Sequence, residues 1–160
     1  INPAALGYRL PTEAEWSWVA RSAPRSSDFF EFPWAGKYPP RGRSGNYADE
    51  SASAILGQTI AGYNDGAPAS TRVGSYPASL RGIHDMGGNV SEWTNDYYAA
   101  AIDANLGRVQ DPLGPRSGDT RVIRGSNWSN AGVTELRFAY RDSGKKPRDD
   151  VGFRIARYAR

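Results

Sequence analysis

Apolar residues at helical spacing occur near the start of the chain, directly after a helix-start signal. Thr12 and Glu15 stand three residues apart, which is the spacing of a capping box in which each side chain bonds the other residue's backbone N–H. Glu13 adds a second acid at the positive end of the helix dipole. The apolar face that follows consists of Trp16, Val19 and Ala20. These features predict a short helix that begins after Thr12 and ends near Arg21.

Alternation of apolar and polar residues, which is typical of strands, appears only late in the chain. The predicted strands are 121–124, the alternating segment 136–140 and the segment 153–155. Segment 96–105 is predicted to be weakly helical at best, and the charged segment 142–150 is predicted to be a loop.

Between residues 36 and 80 neither the helical spacing of apolar residues nor the alternation that is typical of strands is sustained. Glycine and proline interrupt this segment at the turn pairs Pro39-Pro40, Gly45-Asn46, Asp65-Gly66 and Tyr76-Pro77. A connection of this length without elements of its own is uncommon in a compact domain. We therefore expect loops that are ordered by contacts other than backbone hydrogen bonds between strands. Bound ions would provide such contacts.

The composition supports a loop-rich domain with an aromatic core. The 160 residues include 18 Gly, 11 Pro, five Trp and nine Tyr, against one Met and no Cys, and each large aromatic ring buries much area. We expect one domain over residues 1–160. The net charge of +3, from 20 basic and 17 acidic residues of interleaved sign, does not predict nucleic-acid binding. No apolar run approaches the roughly 20 residues of a membrane helix.

The absence of cysteine excludes several kinds of site. Disulfides, thiolate zinc sites, iron–sulfur clusters and cysteine nucleophiles all need sulfur. His84 is the single histidine, so neither a histidine facial triad nor a serine–histidine pair with Ser126 or Ser129 is expected. No catalytic residue is therefore assigned.

The segment 83–93, IHDMGGNVSEW, is too rich in glycine and polar residues for the interior of a helix or strand. Asp85 and Glu92 bracket it, and its glycines allow backbone carbonyls to turn inward. Oxygen donors that converge from one short loop suit a calcium ion. The alternative is a tight turn whose two acids face water while Trp93 fills the core, and the spacing does not match an EF-hand.

Four motifs in order span nearly the whole chain: YRLPTEAEW at 8–16, GGNVSEW at 87–93, DPLGP at 111–115 with RVIRGSNW at 121–128, and VGFR at 151–154. Together they resemble the formylglycine-generating enzyme family, also called sulfatase-modifying factors. The resemblance implies an α+β fold that is loop-rich, has little regular secondary structure and is related to C-type lectins. It also implies two structural calcium sites, as in the enzymes of the family.

Matching positions give the calcium ligands that the resemblance implies. The first site comprises Asp85, the carbonyls of Gly88 and Val90, and the carboxylate of Glu92. The second comprises Asn46 with the carbonyl of Tyr47, and Asp65 with the carbonyl of Ala67. Both sets offer only oxygens and mix side chains with backbone, as calcium prefers.

Two departures from the family pattern bear on function. The family's enzymes bind copper through two cysteines just after an RGGSW-like motif, whereas the corresponding segment 125–133 contains only groups that do not suit copper(I). Oxidation of a substrate cysteine by that mechanism is therefore not expected. Family domains also carry a sizeable N-terminal portion before YRLPTEAEW, which here begins at residue 8. We expect that portion, or a protein partner, to cover apolar surface of this domain.

A tryptophan edged by amides and hydroxyls at the end of the RVIRGSNW motif predicts a ligand or partner surface. The expected surface comprises Asn127, Trp128, Ser129, Asn130 and Arg141. Arg141 belongs to a group of arginines that could hold an anionic ligand, namely Arg124, Arg137, Arg141 and Arg154. The alternative is structural ion pairing of these arginines with Asp142, Asp149, Asp150 or Glu135.

These features favour a non-copper, calcium-stabilised domain that acts as a binding or accessory subunit in a protein assembly. Two alternatives stay open. One is an oxidative tailoring enzyme whose catalytic groups lie in a missing segment or that uses another cofactor. The other is a calcium-dependent, lectin-like domain that binds a small ligand.

Overall fold

The computed structural model describes residues 7–22, 29–34, 36–100 and 109–158. Within these ranges the chain forms one helix, α1 (Glu13–Arg21), and four strands, β1 (Ser91–Tyr97), β2 (Arg121–Arg124), β3 (Arg141–Gly144) and β4 (Val151–Phe153), with a short 3₁₀ turn at Glu50–Ala52. The strands make one sheet in the order β3-β2-β1-β4. The α+β, loop-rich fold expected from the sequence is therefore confirmed. None of the described helices is long and apolar enough to cross a bilayer.

Helix α1 begins with the predicted capping box. The Thr12 hydroxyl accepts a hydrogen bond from the backbone N–H of Glu15 at 3.0 Å, and the Glu15 carboxylate accepts one from the N–H of Thr12 at 2.8 Å. Trp16 and Ala20 are buried on the inner face. The helix start and the apolar face predicted from the sequence are confirmed.

The sheet is mixed, with β1 at its centre. Strand β2 pairs antiparallel with both β1 and β3, whereas β4 runs parallel to β1. Trp93 of β1 lies opposite Ile123 on one side and Phe153 on the other. This pairing joins the central loop to the C-terminal segment, which are far apart in the sequence.

Two strand predictions and one loop prediction need correction. Residues 136–140 form successive turns instead of a strand, because the carbonyls of Phe138 and Tyr140 accept hydrogen bonds from the guanidinium of Arg124 instead of from a neighbouring strand. The segment 142–150 is not all loop, since β3 includes its first residues. The strand expected at 153–155 lies two residues earlier, as β4.

Segment 96–105 is not helical where the structure describes it. Its first two residues end β1, residues 98–100 are irregular, and the prediction for 101–105 lies outside the described residues. The Asp96 carboxylate accepts the free N–H of Glu13 at 2.7 Å, so this side chain caps helix α1 from the sheet.

The core consists of two aromatic clusters. The first contains Phe32, Trp34, Tyr47, Ala48, Ile60, Tyr63, Ala131 and Leu136. The second contains Trp16, Ala20, Met86 and Phe138. Leu136 packs in the first cluster and Phe138 in the second. Their apolar alternation therefore arises from a turn whose side chains enter two different clusters.

Candidate metal centre and partner surface

The central loop, residues 83–93, is held by backbone conformations that few residues adopt. Asp85, Gly88 and Asn89 have φ angles of 55°, 84° and 63°, in the left-handed region. A Cβ at Gly88 would lie 2.7 Å from the carbonyl oxygen of Asn46, so only glycine allows this close approach. The loop is thereby joined to the Asn46 segment, where the N–H of Asn89 donates to the same carbonyl at 2.8 Å.

The Glu92 carboxylate is engaged by two side chains from elsewhere in the fold. Its Oε2 accepts bonds from Nε of Arg154 at 2.6 Å and from the indole N–H of Trp16 at 2.7 Å, and its Oε1 accepts one from Nη2 of Arg154 at 2.5 Å. Only 5% of Glu92 is exposed. A buried carboxylate with a bidentate guanidinium already has its counter-charge, so Glu92 does not fit the role of a calcium ligand in this arrangement.

Arg154 also binds the loop itself. Its Nη2 donates to the carbonyls of His84 at 3.3 Å and Asp85 at 3.1 Å. The Asp85 carboxylate accepts the N–H of Gly74 at 2.8 Å through one oxygen, Oδ2. The remaining expected ligands of the first set are therefore Asp85 and the carbonyls of Gly88 and Val90.

Asp65 is a buried carboxylate with a different environment. Only 2% of it is exposed, and it accepts bonds from the N–H of Tyr47 at 3.0 Å, the N–H of Ala67 at 3.1 Å and the hydroxyl of Tyr76 at 3.0 Å. Within the described ranges, no Arg, Lys or His side chain forms an ion pair with it. Burial raises the pKa of Asp65 above its ordinary value, as expected for an anion removed from water without a counter-ion.

Asn46 supplies an unsatisfied oxygen in the same segment. Its Nδ2 donates to the carbonyl of Ala69 at 2.8 Å, but its buried Oδ1 has no hydrogen-bond partner. Such an orphaned acceptor is unusual and calls for an ion or a water. The orphaned Oδ1 of Asn46 and the buried Asp65 carboxylate without an ion pair are the two observations from which a cation site in this segment can be proposed. The described residues contain no cluster of three His, Asp or Glu side chains that could hold a metal, so a cation here depends on amide and carbonyl oxygens as well.

The loop expected to form a partner surface is internally hydrogen-bonded. Asn127 is buried, and its Nδ2 donates to the Ser91 hydroxyl at 3.0 Å and to Asp150 at 2.9 Å. Its Oδ1 accepts from the N–H and the hydroxyl of Ser129, and the Asn130 side-chain oxygen accepts from the N–H of Asn127. These amides shape the loop from within. Trp128 is half-buried, and its indole N–H has no partner among the described residues.

Arg141 lies on the helix side of the sheet. It forms a bidentate ion pair with Glu13 at 2.6 and 2.9 Å and donates to the carbonyl of Ala99. The other three arginines of its group also pair with glutamates: Arg124 with Glu13, Arg137 with Glu31 and Arg154 with Glu92. The ion-pair alternative therefore describes all four, although their partners differ from the acids considered at the sequence level.

A family model, the sulfatase-modifying factor enzyme 1-like domain, matches residues 3–159. The chain belongs to this family. The family resemblance read from the four motifs is thereby confirmed.

Several proteins resemble this chain in sequence over most of its length. Formylglycine-generating enzymes are 33% identical over 125 residues in Thermomonospora curvata and 32% identical over 122 residues in Mus musculus, each covering 76% of this chain. The serine/threonine-protein kinase Pkn1 of Chlamydia trachomatis is 35% identical over 137 residues, or 85% of this chain. The chain spans only 39%, 30% and 18% of the lengths of these three proteins.

Two solved structures share the fold. Treponema denticola variable protein 1 superimposes with a TM-score of 0.71 and 27% identity over 97% of this chain and 49% of its own. PvdO from Pseudomonas aeruginosa superimposes with a TM-score of 0.68 and 27% identity over 92% of this chain and 51% of its own. The chain thus corresponds to about half of each of these structures.

Proposed function

We propose that this chain is a calcium-stabilised, non-copper domain of the family and acts as a binding or accessory unit in a protein assembly. The observation that carries the proposal is the state of segment 125–133, where the family's copper cysteines would stand. The chain has no cysteine, and the Asn127 amide and the Ser129 hydroxyl are bonded to each other and to the loop backbone. Such a segment offers shape and hydrogen bonds but no soft metal ligand.

Acid–base chemistry finds no support near this loop either. The Ser129 hydroxyl donates to an amide oxygen, which is not a base. The single histidine, His84, has its Nδ1 2.7 Å from the carbonyl oxygen of Tyr76, a bond that fixes the ring to the segment that precedes the central loop. A hydroxyl without a partnered base is a weak nucleophile, so binding is favoured over catalysis.

Calcium in this proposal is structural. The second set, with the free Oδ1 of Asn46 and the uncompensated carboxylate of Asp65, is the better supported, and it would add the carbonyls of Tyr47 and Ala67. A cation there would neutralise the buried carboxylate and order segment 46–67. In the central loop the proposal retains Asp85 with the carbonyls of Gly88 and Val90, without Glu92.

The accessory role is supported by one relative. In the Pkn1 kinase the region like this chain is 18% of the protein, so the same kind of domain there accompanies a much larger remainder. Trp128 and the surrounding loop are the proposed contact with the partner.

Two measurements test the proposal. Copper(I) titration and a peptide cysteine-oxidation assay should show no stoichiometric copper site and no turnover. Native mass spectrometry of the protein from its source should show a complex heavier than this 17.4 kDa chain that Trp128→Ala dissociates while the calcium response stays intact. Turnover would favour the oxidative alternative, and a complex unchanged in Trp128→Ala would remove that loop from the interface.

A further inference from the structure

A cavity of about 310 Å³ lies between the two core clusters. Its walls come from helix α1, from the aromatic segment 30–34, from the loop 76–86 and from Phe138. Most lining groups are apolar, including Val19, Phe30 and Trp34. Protein interiors seldom leave voids much larger than a water molecule, and apolar cavities of about 150 Å³ hold a benzene ring. This cavity is at the lower end of the range for small-molecule sites.

The positively charged guanidinium of Arg81 lies at the cavity wall and is held in a fixed position. The Arg81 guanidinium stacks on the ring of Trp18 with its central carbon 4.0 Å from the ring centroid. Its Nε donates to the Ser22 carbonyl at 3.1 Å, and its Nη2 donates to the Ser22 hydroxyl at 2.8 Å. Its Nη1 donates to no acceptor within the described part of the chain. A guanidinium held from one side therefore keeps N–H groups for an anion on the other.

The cavity lining also contains the carboxylate of Asp85, whose surroundings differ from those of Arg81. Asp85 accepts the N–H of Gly74 and belongs to the proposed calcium set of the central loop. A bound cation would neutralise it. The group in this cavity that remains to select a charged ligand is therefore the Arg81 guanidinium.

We propose that this cavity binds a small carboxylic acid with an apolar or aromatic body. The body fills the space between the core clusters, and the carboxylate bonds the Nη1 side of Arg81. Planar guanidinium groups match carboxylates in geometry as well as in charge. The site is separate from the Trp128 loop, since none of residues 127–130 lines it; it does not depend on the proposed accessory role, but the neutralisation of Asp85 rests on the proposed calcium ion.

The test uses three probes with one body and different heads: 3-phenylpropionate, 3-phenylpropanamide and 3-phenylpropylamine. Binding is followed by calorimetry and by the intrinsic tryptophan fluorescence, to which Trp34 at the wall contributes, in parallel with calcium and with chelator. The acid should bind at least about tenfold more tightly than the amide, since a charge-assisted bond adds roughly 1.5–3 kcal/mol, and the amine should bind most weakly.

Two variants test separately the contact of the probe's head group with Arg81 and the fit of its apolar body in the cavity. Arg81→Gln should remove the preference for the acid and leave the amide affinity within about threefold, whereas Ala78→Trp, at an exposed position on the cavity wall, should block all three probes. Arg72→Gln, at an exposed arginine outside the lining, is the charge control and should change nothing. An unchanged circular dichroism spectrum and melting temperature show that each variant is folded. Equal affinity for acid and amide, tighter binding of the amine, binding that survives Ala78→Trp, or no binding of any probe would overturn the proposal.

Discussion

Two buried carboxylates in oxygen-rich loops have opposite surroundings. Glu92 is 5% exposed and faces the guanidinium of Arg154 and the indole of Trp16, whereas Asp65 is 2% exposed and faces only backbone N–H groups and the Tyr76 hydroxyl. Both are shielded from water, so each negative charge needs a nearby positive one. The fold supplies that charge to Glu92 from its own sequence. At Asp65 the described residues supply no such charge, and the proposed cation would supply it. The comparison teaches that a buried acid in a glycine-rich loop is a candidate metal ligand only where no basic side chain already neutralises it.

The largest effect is expected for Arg154→Ala, which leaves Glu92 buried and without a counter-ion. Removing one partner of a buried ion pair typically costs about 3–5 kcal/mol. Denaturant unfolding should show a loss of that size, equal with and without calcium. The double variant Arg154→Met with Glu92→Gln is the control and should recover most of the loss. A cost below about 1 kcal/mol would show that the pair does not compensate the carboxylate.

The next effect is expected for Asp65→Asn, which keeps the shape of the side chain but removes its charge. An ion at 100 times its Kd stabilises the protein to which it binds by about 2.7 kcal/mol. The variant should lose most of that calcium-dependent stabilisation, as read from the melting temperature with calcium and with chelator. Glu92→Gln should keep its calcium response although it is less stable in both conditions. The same response in Asp65→Asn as in the wild type would contradict the second site.

A smaller effect is expected for Asn127→Ala, in a loop that is held by neutral amides. The change leaves the Ser91 hydroxyl and the Asp150 carboxylate each without one donor, and unsatisfied buried groups cost about 1–3 kcal/mol. The loss should not depend on calcium. A calcium-dependent loss would mean that ions order the loops in general and not at the Asp65 segment in particular.

The smallest effect is a loss of stability in acid that originates at Asp150. The hydrogen bond from Arg148 lowers the pKa of this carboxyl below its ordinary value, so the folded state holds the proton less tightly than the unfolded state does. The stabilisation is fully present above the ordinary carboxyl pKa of about 3.9 and disappears as the pH falls through the lowered folded-state pKa. Asp150→Asn should flatten stability against pH in that window. An unchanged profile would show that the Arg148 pair is too exposed to matter.

Short sequence patterns predicted the elements that are stabilised by interactions between residues close together in the sequence. The capping box of Thr12 and Glu15 lies within four residues, and strand β2 follows from its β-branched pair Val122 and Ile123. The turns at 136–140 could not be read in this way. They follow from the guanidinium of Arg124, which takes carbonyls that a strand would have offered to its neighbour.

The sequence predicted which oxygen-bearing residues the two loops contain. It did not predict which of these residues remain free to bind a metal. Glu92 and Asp65 look alike in sequence, and what separates them is Arg154, 62 residues away from Glu92. One signal was present: Arg154 stands between Phe153 and Ile155 in an alternating apolar segment, and a charge placed among buried residues is normally paired. The orphaned Oδ1 of Asn46 has no counterpart in the sequence, because it depends on how the amide is oriented by Ala69.

Calorimetric titration of calcium into the wild type, Glu92→Gln and Asp65→Asn tests the difference between the two carboxylates most directly. We expect Glu92→Gln to bind as many ions per chain as the wild type and Asp65→Asn to bind one fewer. Loss of an ion in Glu92→Gln together with the full number in Asp65→Asn would contradict it.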